Sequence, residues 1–540
     1  MKVWRNVALR EAAPGEWGMA AGAALSGAAL AAAFPPLDLG WLAAVALVPL
    51  WVAAQRCGMR AALRIGGAGL FAGWALELVW LRHVTIWGWL IVSAFCAASG
   101  LGALGFASWW GVRRRRGGTM AFALGTGVLW TGGEYLRGMD VFFGGFSWNP
   151  LGVAAVGGPL GQLAEWGGVW LVSLVLATAN GFLAYAAGEW LRGRRGWRNW
   201  GPGVAGAVLL LASGWGAGRG LEARAAAWLS AGGEDILPVA LVQTAIPQDE
   251  KWSSAKVESI LARLRELSEA ARIGAKGRGT LLVWPEAALP DDVRFSPASA
   301  KLAKSAAQGM GADGALLAGS LDTEYGDDGT SVRYFNAAFQ FDAAGRLTGA
   351  YAKRHLVVGG EYLPFTGLLP DRFRAAVGCP ENISPGTAGR VFRAGADRLP
   401  YAPLICFEDT LGRLARRDVA MGARLLVNLT NDAWFDPSSA RLQHLRNAMF
   451  RAIECRVPLV RSANTGISCV VSPLGRVEAA LDGPPDEPGV LHAAVRVPKS
   501  PWRTGYGRIG DAVGMVCGGV LAAWCVAAGL ARRRRDIRFP

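Results

Sequence analysis

Three short runs end in groups that could carry out acyl chemistry: Glu286 in "WPEAALP", Lys353 in "YAKRHL" and Cys406 in "LICFEDT". A cysteine nucleophile needs its proton removed or its thiolate stabilised, and histidine is the usual partner. The chain has only four histidines, His83, His355, His444 and His492, and none has an obvious claim on Cys406. A carboxylate can act as the base where desolvation raises its pKa, and an ammonium can favour the thiolate and then the oxyanion formed at an attacked carbonyl. Glutamate, lysine and cysteine together therefore make a complete acyl-transfer set. Taken singly, each has a plain reading: Glu286 as a turn residue, Lys353 as a solvated loop lysine, and Cys406 as a packed residue in an apolar run.

Such groups need strands to position them. "LPVALVQTAI" reads as a strand, and "SSAKVESILARLRELSEAARIGAK" follows with Val257, Ile260, Leu261, Leu264 and Leu267 at helical spacing. "GTLLVWPEAALP" is a buried strand ending at Glu286, and further strands are expected in "GALLAGSLDT", "NAAFQFDAAGRLTGAYAKRHL", "PLICFEDT", "RLLVNLTND" and "PLVRSANTGISCVVSPLGRV". Residues 236–500 are thus expected to form an α/β domain, a layered sandwich with helices covering its sheets and its chemistry on strand-end loops.

The rest of the chain is of another kind. Of 540 residues, 52% are hydrophobic and only 18% charged, with 24 Trp and 74 Gly, which is too apolar for an ordinary soluble protein. Long apolar segments lie at about 17–34, 38–54, 65–81, 89–111, 118–133, 160–187 and 201–217, and "IGDAVGMVCGGVLAAWCVAAGLA" fills 509–531. Basic residues flank alternate connections: Lys2, Arg5 and Arg10; Arg56, Arg60 and Arg64; Arg113 to Arg116; Arg192, Arg194, Arg195 and Arg198; then Arg532 to Arg535 with Arg538. This positive-inside pattern predicts eight crossings with both termini cytoplasmic and the α/β domain outside the cytoplasm. The expected layout is a membrane domain at 1–217, a linker at 218–235, the α/β domain at 236–500, an eighth helix at 509–531 and a basic tail at 532–540. A cleaved signal peptide is the other reading of the first segment; Glu11, Glu16 and the prolines after "AALAAAF" favour an uncleaved helix.

The net charge of +15 resides in these membrane flanks rather than on one soluble face, so nucleic acid is not expected as a partner. The cysteines show no CxxC pair, and with few histidines neither a metal site nor a cofactor is expected. Cys379, Cys406, Cys455 and Cys469 could pair in an oxidising compartment, although their spacing does not require it. Glu77 and Glu165 are the chief charges inside the first seven apolar segments, thin support for an ion pathway. The aromatic, glycine-rich connection 134–159 reads equally well as an element admitting acyl chains and as an ordinary membrane-boundary belt.

The order "WPE", "KRHLVVGGEYLP", "CFED" resembles the nitrilase superfamily, whose members carry a Glu-Lys-Cys triad on an α-β-β-α sandwich. With the apolar segments around it, and with "VQTAIPQDEKW", "NLTNDAWF" and "RNAMFRAIECRVPLVRSANTGIS", the whole chain resembles the membrane-embedded apolipoprotein N-acyltransferase family. That resemblance implies Glu286 as general base, Lys353 as oxyanion and thiolate stabiliser and Cys406 as nucleophile. It implies support from Glu361, Glu408 and Phe407, with Trp252 near the site mouth. It further implies a phospholipid acyl donor, a diacylglyceryl apolipoprotein acceptor, a thioester on Cys406 and a place in the bacterial inner membrane with the catalytic domain on the periplasmic side. The alternative is a membrane-anchored nitrilase-type amidase acting on a small amide. Two departures stand out. Phe407 lacks the hydroxyl of the tyrosine common after the cysteine, and Val358 and Gly359 replace a common Pro-Phe, which implies a looser loop over the site.

Overall fold

The computed structural model describes residues 14–538, apart from 114–117, 141–143, 278, 327–331, 363–382 and 436. Lys2, Arg5, Arg10, Glu11, Arg114 to Arg116 and Cys379 lie outside the described residues, as do the side chains of Arg532 to Arg535 and Arg538.

The N-terminal region is helical: α1 (Pro14–Ala32), α2 (Val48–Ala54), α3 (Gly67–Glu77), α4 (Ile86–Ser99), α5 (Leu101–Val112), α6 (Thr119–Arg137), α7 (Ala164–Leu191) and α8 (Trp197–Ala231). The apolar segments become helices of unequal length. Pro159–Leu191, Trp197–Ala231 and the C-terminal Ala512–Ala531 are long and apolar enough to cross a membrane, and α4 with α5, bent by 41°, would make a fourth span. At ~1.5 Å per residue, the 19-residue α1 and α6 reach about 28 Å, but glycine, serine, threonine and charged residues dilute their apolar character. Segment 38–54 breaks into a 3₁₀ turn, Gly40–Ala44, and the seven-residue α2, which has Pro49 in its first turn. The helix expected to end near 217 continues to Ala231, so most of the expected linker is helical. Good helix formers in "GLEARAAAWLSA" and an Arg219–Glu222 pair at i,i+3 carry it on.

The α/β domain then begins. Its strands are β1 (Glu234–Gln243), β2 (Leu281–Val283), β3 (Ala315–Tyr325), β4 (Val332–Asp342), β5 (Leu347–Ala352), β6 (Phe392–Ala394), β7 (Leu399–Ile405), β8 (Leu425–Thr430), β9 (Leu459–Ala463), β10 (Cys469–Val471), β11 (Val477–Ala480) and β12 (Gly489–Pro498). They form two six-stranded sheets, β12-β1-β2-β3-β4-β5 and β11-β10-β9-β8-β7-β6. The β1-β2-β3 and β7-β8-β9 pairings are parallel and so need crossovers. Helices α9 (Val257–Ala275), α10 (Pro297–Gln308), α11 (Gly412–Ala420) and α12 (Ala440–Cys455) supply them, and α13 (Ala512–Arg538) follows the domain.

Strand side chains alternate between layers with the period of two that a pleat imposes. Leu237, Val239 and Leu241 of β1 meet Tyr401 and Ile405 of β7 and Leu425, Val427 and Leu429 of β8 in the core between the sheets. Ala240, Val242 and Leu282 face outward under α9 and α10, while Ala402, Leu404 and Leu426 face α11 and α12. The result is an α-β-β-α sandwich.

Helix α12 also docks on the helical region. Phe407, Ala440, Phe450 and Ile453 belong to the same apolar cluster as Trp51, Trp80, Trp130 and Trp148. Buried polar contacts fix the junction. Arg456 pairs with Glu165 at 2.8 Å, and Asn447 donates to Asn149 Oδ1 at 2.8 Å, whose own amide donates to Glu77 at 2.9 Å. Glu77 and Glu165 therefore help to hold the two parts together.

Candidate active site

Sequence-distant turns converge at one end of the two sheets. The Glu286 turn follows β2 and crosses Gly319 of β3 so closely that a Cβ there would collide with the Pro285 carbonyl oxygen. Lys353 follows β5 directly. Cys406 ends β7 and opens a 3₁₀ turn, Cys406–Thr410, with φ at +51°, a left-handed backbone that a non-glycine residue adopts only when its surroundings enforce it. Glu286 and Lys353 thus come from the first sheet and Cys406 from the second.

Lys353 is only 1% exposed and lies between two carboxylates, its Nζ 2.8 Å from Glu361 Oε2 and 3.3 Å from Glu286 Oε1. Burial opposes its charge, but Glu361, Glu286 and Cys406 outweigh that and hold the ammonium well above its usual range. Asn336 of β4 donates from one amide to both acids, at 2.7 Å to Glu286 Oε1 and 2.8 Å to Glu361 Oε1. The strand thereby fixes the spacing of the two carboxylates. Cys406 is buried, and burial pushes its thiol up; Glu286 adds to the rise, Lys353 offsets part of it, Asp432 raises it again and a hydrogen bond from Thr430 lowers it. At rest the sulfur is therefore a thiol, and attack requires a base at that moment.

Glu408, fully buried, accepts four hydrogen bonds. Oε1 takes the main-chain N–H of Arg354 at 2.7 Å and of His355 at 3.1 Å; Oε2 takes the Tyr351 hydroxyl at 2.7 Å and Ile405 N–H at 2.8 Å. It ties both flanks of Lys353 to the strand that delivers Cys406. Phe407 stacks on Trp148 at 6.2 Å and 5°, on Phe146 at 5.8 Å and on His355 at 5.9 Å. The 134–159 connection thus supplies an aromatic floor to the Cys406 turn. The expected loose loop is a pinned turn: Gly359 N–H donates to the Tyr362 carbonyl at 2.8 Å and Val357 N–H to Glu361 Oε2 at 2.9 Å. Trp252 stands half-exposed on the turn after β1, beside the buried Lys251.

Beneath the turn lies a quartet with no exposed side chain. His444 is 2.9 Å from both Asp409 and Asp432, and Arg461 is 2.6 Å from Asp409 and 2.8 Å from Asp432. Burial works against a charged His444 and Arg461 adds to that, yet the two aspartates prevail and push it up to about 9. Arg461 also donates to Asn428, whose amide donates to the Cys406 carbonyl at 3.3 Å. Cys406, Cys455 and Cys469 are all free thiols. Among the described residues no group of histidine, cysteine or acid side chains is arranged to hold a metal.

The apolipoprotein N-acyltransferase N-terminal domain family matches residues 26–182, and the carbon-nitrogen hydrolase family matches residues 238–500. The apolipoprotein N-acyltransferase of Geobacter metallireducens is 34% identical over 533 residues, 95% of each chain. That of Azotobacter vinelandii is 30% identical over 482 residues, covering 87% of this chain and 88% of its own. Among solved structures, Nit3 of Saccharomyces cerevisiae, a nitrilase-superfamily member, is 19% identical with a TM-score of 0.34, covering 48% of this chain and 89% of its own. A nitrilase-superfamily amidase of Nesterenkonia is 21% identical with a TM-score of 0.35, covering 51% and 94%. Relatives that match across both the helical region and the sandwich, over nearly the full length, show that the chain belongs to the apolipoprotein N-acyltransferase family.

Proposed function

We propose that this protein moves a fatty acyl chain from a membrane phospholipid, through a thioester on Cys406, to the N-terminal α-amine of a diacylglyceryl-cysteine on an apolipoprotein. The observation that carries the reading is the meeting of Glu286, Lys353 and Glu361 beside the buried Cys406 thiol, in a sandwich docked on apolar helices. Glu286 takes the thiol proton as sulfur attacks the ester carbonyl, and returns it to the departing lysophospholipid oxygen. The incoming amine then attacks the thioester; Glu286 accepts the amine proton and passes it to the leaving thiolate. A thioester is more reactive than the amide that replaces it, so the second half runs downhill. Glu361 and Asn336 hold Lys353 and Glu286 in register, and Glu408 and Phe407 hold the nucleophile turn. Trp252 borders the entrance.

The membrane setting suits this chemistry because donor and acceptor both diffuse laterally. The three long apolar helices and the bent pair support a multi-pass protein. They make at most four spans; eight crossings, cytoplasmic termini and a periplasmic catalytic domain in a bacterial inner membrane rest on the number of apolar segments and the alternating basic connections. A reporter fused after Ser500 should read as periplasmic and one fused at Arg195 as cytoplasmic; the reverse result would remove the lipoprotein substrate.

Cys406→Ser is the direct test. A serine hydroxyl ionises so far above a thiol that the same base cannot activate it. The variant should fold and insert, take up no acyl mass from phospholipid and leave lipoprotein N-termini free. Retained N-acylation would return Cys406 to a packing role. Turnover of a small amide with no acyl-enzyme would favour the amidase alternative.

A further inference from the structure

Lys251 sits on the turn after β1 and is 2% exposed. Its Nζ donates to the main-chain carbonyl of Glu286 at 2.9 Å, and it makes no ion pair among the described residues. An ammonium has three donors, so two remain uncommitted beside the reacting groups. A buried cation without a partner is costly to keep. Burial lowers this ammonium to about 8, and the nearby Glu286 and Cys406 offset only part of that fall.

The charges of the site show what the cation is for. Glu286, Glu361 and Lys353 together carry a net charge of −1 when ionised, and Lys353 is engaged by both acids. When the thiol gives its proton to Glu286 and sulfur bonds to the ester carbon, the carbonyl π pair moves to oxygen. Negative charge then passes from Glu286 to the new oxyanion, while Glu361 still occupies Lys353. Lys353, the cation expected at the oxyanion, is then shared with Glu361, so the oxyanion has no cation to itself unless a second one is present.

We propose that Lys251 is that cation, a second catalytic lysine whose free N–H groups stabilise the tetrahedral oxyanion formed on Cys406 in both half-reactions. When the intermediate collapses, the electron pair returns to the carbonyl, the C–O bond to the lysophospholipid breaks and its oxygen takes the proton from Glu286. Lys251 neither gains nor loses a proton. Its position is held by the Glu286 carbonyl, so the base and the oxyanion donor move as one unit. The inference rests on the reading of Cys406 as nucleophile.

The test uses the full chain in phospholipid vesicles. Single-turnover acylation of Cys406 is followed by intact mass, and alkylation of the same thiol by chloroacetamide is measured in parallel. Alkylation at a saturated carbon makes no oxyanion. Lys251→Met should slow acylation by about 10² to 10³, the range for a lost oxyanion donor, while slowing alkylation by no more than about tenfold. Its melting temperature should equal or exceed the wild type's, because a buried unpaired charge has been removed. Lys251→Gln keeps a donor for the Glu286 carbonyl without the charge and should behave like the methionine variant. Acylation within about threefold of wild type in Lys251→Met, recovery in Lys251→Gln, or a parallel loss of alkylation would each overturn the assignment. Failure of the Cys406 reading looks different, because the wild-type chain itself would then take up no acyl group, and the inference would fall with it.

Discussion

Glu408→Gln probes whether the lysine and the cysteine are held together through one buried carboxylate. The glutamate serves four donors: two N–H groups just after Lys353, the Tyr351 hydroxyl just before it, and the N–H of Ile405 next to Cys406. Glutamine keeps one oxygen and turns the other into a donor. The arrangement of least cost points the new NH₂ toward Tyr351, whose hydroxyl already accepts from Arg354 Nε and loses the acceptor of its own proton, and leaves Ile405 N–H unpaired. An orphaned buried N–H costs about 1–3 kcal/mol, and bonds that lose charge assistance weaken by roughly half. Against this stands the gain from no longer burying a carboxylate, so a net loss of about 2–4 kcal/mol is expected.

Part of that loss falls on the conformer that places Lys353 against Cys406. At ~1.4 kcal/mol per decade, half of it slows acylation by about 5- to 30-fold. Intact-mass single-turnover kinetics give the rate, and thermal unfolding of the same preparation should show a fall of roughly 5–10 °C. Wild-type acylation together with wild-type melting would mean that the four bonds are incidental and that the Lys353 turn is fixed by other contacts.

Glu286→Gln keeps the side-chain shape but removes the base, so acyl-enzyme formation should slow by about 10² to 10⁴; a rate within threefold of wild type would reassign the proton acceptor. His444, raised in the folded state to about 9 from an unfolded value near 6.5, contributes stability that is complete below about 6.5 and is lost as pH rises through about 9. Urea midpoints measured from pH 6 to 9.5 should therefore fall across that window in the wild type and flatten in His444→Gln.

The sequence displays the ends of strands better than what lies behind them. Glu286, Lys353 and Cys406 are legible because each closes an apolar run, where a polar side chain has no packing reason to be. Asn336 carries no such mark: it sits inside the eleven-residue β4, and only the fold reveals that its amide spans two acids from different turns. His444 and Arg461 look like ordinary residues of a helix and a strand. Their quartet assembles from α12, β9 and the turns after β7 and β8, so no local spacing signals it. Strand β12 is not marked in the sequence either, because its partner β1 lies more than 240 residues earlier and pairs with it antiparallel from Glu234↔Pro498 to Gln243↔Gly489. The three-residue β6 is too short to show a period. The apolar segments are legible as helical, but their helix lengths are not, because tertiary packing, prolines and glycines decide them.

The Cys406 turn faces two ways at once, and this bears on why the sandwich is joined to helices at all. Cys406 packs with Ile405 in the core between the sheets, whereas Phe407 packs with Trp148 and Phe146 in the cluster of the helical region. The end of the same turn is tied to the junction, because Arg451 donates from Nη1 to the Thr410 carbonyl at 2.7 Å and from Nη2 to Glu454 at 3.0 Å. Glu454 in turn accepts Val169 N–H at 2.9 Å, immediately after Gly167 and Gly168 interrupt the helical backbone of α7. A free N–H at such a break needs an acceptor, and here the acceptor comes from the catalytic domain. The strained backbone of Cys406 is therefore held from the core on one side and from an apolar helix on the other. A hydroxyl on residue 407 is not needed to anchor the turn when a stacked ring, an arginine and a helix break already do so.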